Sequence, residues 1–412
     1  MKILWLSNRI IDENPDKSTG TWLKSLAVDL MKENNINLAN ISEGKISSLK
    51  RADYGELSQW IVPYQSRKIS GLPSKERIIE IKKVVDNLKP DIIQIWGTEN
   101  YWGLLTARGI LQYKTLLNIQ GVISTITPMY YGGLSNIELL RCHGLKEFIR
   151  PSASILFGKY RFKQKQYYEY EIISNHNYIV SQSQWSRANV LAINPTAITF
   201  NTERALRNEF INSQSWLKYH NTHLNRYILH TTASMVPYKG LHTLLRAMSI
   251  LKKKFPNLIL NIAGSTKAGI RRGGYERFVK RLANELDISD NIQFLGPLDA
   301  SMIVKSLKNS NVFIQPSFIE SYSLSLAEAM YVGTPCVVSF AGAMPELAKD
   351  NESALFFTPG DHVGCASKIE RLLLDVELSK KISINSREIA IQRHNPKSIV
   401  ENQIEIYEEI IS

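Results

Sequence analysis

The chain has 412 residues, with 50 Lys+Arg against 38 Asp+Glu (net charge +12) and 3 Cys. That length exceeds one hydrophobic core, so two domains are expected, and 44% apolar with 21% charged residues excludes a disordered or fibrous chain. Cys142, Cys336 and Cys365 form no C-x-x-C pair, which excludes a disulfide scaffold and argues against a thiolate zinc site, while the positive balance points to an anionic partner.

The chain alternates short apolar runs with longer amphipathic ones. Strands are predicted at 3–6, 36–41, 91–96, 115–119, 178–181 and 197–200, with helices at 21–32, 75–88 and 184–192. The second half repeats the scheme, with strands at 227–233, 258–263, 292–295, 312–315, 336–339 and 354–356. Its helices fall at 240–254, 274–286, 300–307 and 323–331, then at 363–374, 377–393 and 396–411. This βα alternation predicts an α/β fold of two Rossmann-like, doubly wound domains facing across a cleft. The polar stretch 208–226 is the expected seam. Residues 1–210 form the first domain, to which helix 396–412 returns, and residues 220–395 form the second. Neither a signal-peptide pattern nor a run of ~18 apolar residues is present, so a cytoplasmic chain is expected.

The most informative stretch runs from Pro316 to Pro335. A strand ends at Gln315, a loop carries Glu320, and a helix starts near Ser323. The N–H groups of Tyr322, Ser323 and Leu324, with the helix dipole behind them, suit a phosphate. Glu328 lies seven residues after Ser321, back on the face of the helix start. Glu320 and Glu328 thus flank an anion site with acceptors for sugar hydroxyls. In the second stretch, Ala233–Gly240, a strand ends, a loop follows, and Lys239-Gly240 opens a helix, placing an ammonium within reach of a diphosphate. Gly264, Gly342 and Gly20 stand in loops at strand ends or helix starts.

Lys239-Gly240, Glu320-x7-Glu328, Gly333-Thr-Pro335 and Gly342-x-x-Pro-Glu346 together resemble retaining glycosyltransferases of family 4, which have the GT-B fold. In the first half, Gly20-Thr-Trp22, Pro90–Thr98, Ile119-Gln120-Gly121 and Asn194-Pro195 are similar to bacterial members that build capsular or other surface polysaccharides. The resemblance implies a nucleotide-sugar donor, UDP- or GDP-linked, as substrate and no cofactor. Glu320 would contact the donor sugar and Glu328 the ribose, while Lys239 and the backbone at 322–324 would hold the diphosphate. Leu295 and its loop would lie against the base, and Gly20 would let the first loop approach donor and acceptor.

One short stretch and two single positions depart from the family pattern: in the stretch, Glu320-Ser-Tyr-Ser stands where Glu-Gly-Phe-Gly is usual, which leaves the phosphate loop slightly less open. Ser234 stands where an Arg is common, with Arg271 or Arg272 as replacement cations. Gln120 stands where a His is common, with His143 as a substitute acceptor contact. No D-x-D motif is present, so a bridging metal has no motif, and front-side displacement with retention is the expected route.

The acceptor is expected to be lipid-linked or an oligosaccharide, and the enzyme cytoplasmic and peripheral at the membrane. The basic, aromatic-rich run 141–165 is expected to face an anionic membrane surface from the first domain. A nucleic acid is disfavoured, because the carboxylate pair would repel its phosphates. The alternatives are a sugar-nucleotide epimerase or hydrolase on the same fold, and a catalytically impaired nucleotide-sugar-binding protein.

Overall fold

Two parallel sheets organise the chain. The computed structural model describes residues 1–13, 22–65, 70–216, 227–264 and 273–412. By its internal contacts the chain divides into two units: 1–124 with 164–207 and 394–412, and 125–163 with 208–393.

In the first unit, β1 (Lys2–Ser7), β2 (Asn37–Gly44), β3 (Lys50–Arg51), β4 (Ser58–Pro63), β5 (Ile92–Trp96), β6 (Thr115–Asn118), β7 (Tyr178–Ser181) and β8 (Ile198–Asn201) form one sheet. Their order is β3-β4-β2-β1-β5-β6-β7-β8, parallel throughout except that β3 pairs antiparallel with β4. The central strands β1 and β5 read as nearly unbroken apolar runs because helices cover both faces. Leu4, Leu6, Ile41, Ile93, Ile95, Leu117 and Ile179 are buried in the core.

The C-terminal helix Pro396–Ile411 belongs to this unit, as expected. Asn395 caps it, accepting from the N–H groups of Lys397 and Ser398. Its buried Tyr407 accepts from Trp5 Nε1 at 3.1 Å and donates to Gln94 Oε1, tying the helix to β1 and β5.

In the second unit, β9 (Ile228–Thr232), β10 (Ile259–Ala263), β11 (Ile292–Gly296), β12 (Val312–Gln315), β13 (Cys336–Ser339) and β14 (Leu355–Phe357) run parallel in the order β11-β10-β9-β12-β13-β14. Counted within the unit this is 3-2-1-4-5-6, the doubly wound order. Leu229, Leu260, Ile262, Ile314 and Val337 fill its core.

Residues 125–163 correct the expected domain division. They pack with the second unit, not the first. Glu138 pairs with Arg246, Glu147 pairs with Arg277, and His242 Nε2 lies 2.8 Å from the carbonyl of Gly132. Gly274 is also pressed against this segment: a Cβ there would stand 1.7 Å from the carbonyl oxygen of Cys142. The sequence-level division followed chain order, whereas these contacts join the segment to helices Leu241–Lys252 and Gly274–Glu285. Strands β3 and β4 and the helices between Trp102 and Ile149 lie outside the predicted set. Among the described residues no helix is long and apolar enough to cross a membrane.

Tyr407→Phe removes the shared hydroxyl and leaves Trp5 Nε1 and Gln94 to lose a partner in a buried site. Urea unfolding should show a loss of about 1–3 kcal/mol. An unchanged midpoint would mean that this contact does not anchor the helix.

Candidate active site

Strand order fixes where the second unit can hold a ligand. The chain leaves β9 in one direction along the sheet and returns at β12 on the other side, so the order reverses between these two paired strands. Loops leaving the carboxyl ends of such strands diverge and open a crevice. The loop after β9 carries Lys239, and the loop after β12 carries Glu320.

Three contacts lock the two loops together. The N–H of Phe318 donates to the carbonyl of Tyr238 at 2.8 Å. Gly240 has φ 71°, and a Cβ there would stand 1.9 Å from the carbonyl oxygen of Pro316, so only glycine fits. Lys239 Nζ donates to Glu320 Oε1 at 2.7 Å. The same oxygen accepts from Gln315 Nε2 at 2.9 Å and from Ser317 Oγ at 2.7 Å. Ser325 Oγ holds Gln315 in turn, through Oε1 at 2.9 Å. Glu320 is therefore a buried carboxylate of fixed orientation, with one oxygen saturated. Beside it, burial and then the charge of Glu320 push the Tyr238 hydroxyl up to about 12, so it stays protonated.

The loop after β13 supports the same residue from behind. The N–H of Ala343 donates to the carbonyl of Glu320 at 2.9 Å, and a Cβ on Gly342 would stand 2.0 Å from that oxygen. Gly264, after β10, is likewise pressed against the carbonyl of Ala233, next to Ser234. Ser234 itself is exposed. Leu295, in β11, is 36% exposed one residue before Gly296, whose carbonyl accepts from the N–H of Gly264 at 2.9 Å.

Helix Leu324–Val332 begins where expected. Its first N–H groups have no carbonyl partner within the helix, and the dipole adds positive potential there. Ser323 caps it, accepting from the N–H of Leu326 at 3.4 Å, but does so at φ 73° and ψ 76°. A left-handed conformation costs a non-glycine residue about 1–2 kcal/mol, and here it stands at the mouth of the candidate phosphate site. Tyr322 and Glu328 are buried.

The structure thus brings Lys239, Gly240, Glu320 and Gly342 into one connected cluster. Gly20, Arg271 and Arg272 lie outside the described residues. The two acceptor candidates fall in different units. Gln120, in the first unit, accepts through its carbonyl from Arg204 Nη2 at 2.9 Å. His143, in the second, lies just past helix Asn136–Arg141 and places Nδ1 2.8 Å from the carbonyl of Leu139 in that helix.

Sequence reading missed Gln315 and Ser317, which orient Glu320. Their only signal is polarity at the end of an otherwise apolar strand. It also missed Glu99 and Glu169 in the first unit, two buried carboxyl groups pushed above the ordinary range by burial. Glu169 accepts from the N–H groups of Ile123 and Ser124 at 2.8 and 2.7 Å and from Thr98 Oγ1 at 2.9 Å. Glu99 Oε2 occupies the space that a side chain at Gly97 would need.

Residues 213–389, nearly all within the second unit, match the family described as Glycosyl transferases group 1. An uncharacterized glycosyltransferase of Bacillus subtilis, YqgM, is 29% identical over 189 residues, covering 46% of this chain and 51% of the relative. The chain thus aligns with about half the length, or less, of the curated relatives it matches first.

Solved structures match over nearly the whole chain. Sucrose-phosphate synthase from Thermosynechococcus elongatus superposes with a TM-score of 0.72 at 16% identity, covering 99% of this chain and 98% of the other. Anabaena HepE, solved with UDP and glucose, gives 0.65 at 16% identity over 98% of each chain. The fold is GT-B, two parallel-sheet Rossmann-like domains. Within it, residues 213–389 carry the likeness to the group 1 glycosyltransferases.

Ser323→Gly should raise stability by about 0.5–1 kcal/mol in urea unfolding, because glycine relieves the left-handed strain and loses only a few tenths as a cap. A loss of stability would show that the hydroxyl cap outweighs the strain.

Proposed function

We propose that the chain is a retaining hexosyltransferase that moves a sugar from a UDP- or GDP-linked donor to an acceptor hydroxyl without a bridging metal. The acceptor in this reading is a lipid-linked or oligosaccharide chain in surface polysaccharide synthesis, and the enzyme works at the cytoplasmic membrane face. The observation that carries the donor assignment is the Lys239–Glu320 pair at the point where the sheet order reverses. The complexes of HepE with UDP and with UDP-glucose support a nucleotide sugar as the ligand class.

The chemistry follows from charge. Departure of the nucleoside diphosphate builds negative charge on its phosphates and positive charge at the anomeric carbon. Lys239 and the start of helix Leu324–Val332 stabilise the phosphates. No described residue donates to Glu320 Oε2, which is left to accept from a donor-sugar hydroxyl while Oε1 is held by Lys239, Gln315 and Ser317. Glu320 is thereby committed to hydrogen bonding and not to nucleophilic attack. Front-side displacement follows, with the departing phosphate taking the acceptor's proton. Glu328 takes the ribose hydroxyls.

Glu320→Gln keeps the size and one acceptor oxygen but loses the charge that pairs with Lys239. It should lower kcat about 100-fold or more while the enzyme still gains thermal stability with its nucleoside diphosphate. Lys239→Met should weaken that nucleotide-dependent stabilisation itself. Sugar released from donor at the wild-type rate with no acceptor present would favour a hydrolase. Full transfer activity in both variants would remove the site assignment.

A further inference from the structure

The segment that packs with the second unit presents an unusual outer face. Its acids turn inward: Glu138 pairs with Arg246, and Glu147, fully buried, pairs with Arg277. Arg141, first of the basic run, is also consumed, pairing with Glu285 and lying 5.8 Å from the Phe278 ring centroid. Phe162 turns inward too, with its ring centroid 5.0 Å from that of Tyr130. The run 141–165 therefore does not face outward as a whole, which corrects the sequence expectation.

What remains outside is apolar and basic. Ile137 and Leu140, on helix Asn136–Arg141, are both 72% exposed. Leu145, Phe148 and Ile149, on helix Leu145–Ile149, are 82%, 87% and 74% exposed. Five large apolar side chains within thirteen residues of sequence are a heavy exposure for a surface that is merely solvated. Arg150, Arg161 and Lys163 are exposed close by in sequence, with no exposed acid between Leu139 and Lys163. The helices are far too short to span a bilayer.

The geometry points to an anionic lipid bilayer as the partner of this face. The apolar side chains would enter the interfacial layer, and the three cations would meet lipid phosphates. Charge complementarity selects the partner: inward pairing neutralises both acids of the segment and leaves exposed apolar and cationic side chains with no exposed acid among them in sequence, the composition of an interfacial anchor. Buried protein–protein patches are instead depleted in charge. The inference is independent of the donor-site assignment, since none of the residues it uses belongs to the Lys239–Glu320 cluster.

The test is co-sedimentation of the full chain with vesicles of phosphatidylglycerol and phosphatidylcholine compared with phosphatidylcholine alone. Binding should favour the anionic vesicles at least tenfold and weaken with salt. Replacing Leu145, Phe148 and Ile149 together by Ser should lower the anionic-vesicle affinity at least tenfold. A separate Arg150→Glu, Arg161→Glu, Lys163→Glu variant, which alters only exposed groups, should abolish the anionic preference and serves also if the first variant fails to fold. No binding by the wild type, equal binding to both vesicle types, or unchanged binding in a folded variant would overturn the proposal. So would a wild-type dimer that the Ser variant converts to monomer, since a second copy would then cover the face.

Discussion

One carboxylate oxygen organises the loops at the carboxyl ends of the second unit's central strands. Glu320 Oε1 accepts from a lysine on one loop, a glutamine at the end of a strand and a serine between them. A half-satisfied buried carboxylate would be costly, so the network holds as a unit or fails as one. The backbone obeys the same constraint. Gly240 and Gly342 exist as glycines because the chain passes within about van der Waals contact of Pro316 and Glu320 carbonyl groups, where a Cβ would clash. Sheet order brings these loops together, and side-chain chemistry orients the carboxylate.

The same economy explains the departures from the family pattern. Ser323 takes a left-handed conformation that glycine would adopt freely, and in return caps the helix whose N–H groups would face a phosphate. Ser234, where an arginine is common, is exposed and supplies no cation. Lys239 is then the cation that the described loops place at the reversal point, held by Glu320 at about one-fifth exposure.

Much of this was legible in the sequence, for a physical reason. Buried parallel strands such as Val312–Gln315 and Cys336–Ser339 announce themselves as apolar runs, and their boundaries matched. Lys239 and Glu320 stood out because a charge just after such a strand has few structural reasons to be there. Gln315 and Ser317 did not, since a polar residue at a strand end is ordinary until its partner is known. The placement of 125–163 was illegible because it rests on Glu138, Glu147 and Gly132 meeting Arg246, Arg277 and His242, roughly 100 or more positions away in sequence. Short helices of one or two turns in that segment carry too little periodicity to read, and so the basic run looked like a single outward face. Its division into inward pairs and an outward apolar patch needed the fold.

The most direct measurement of the central claim is a crystal structure of the chain grown with a nucleoside diphosphate. The account predicts phosphate oxygens against Lys239 Nζ and the N–H groups of Ser323 and Leu324, with Glu320 still held by Gln315 and Ser317. A nucleotide bound away from the β9–β12 reversal, with the Lys239–Glu320 pair untouched and no phosphate at the helix start, would contradict it.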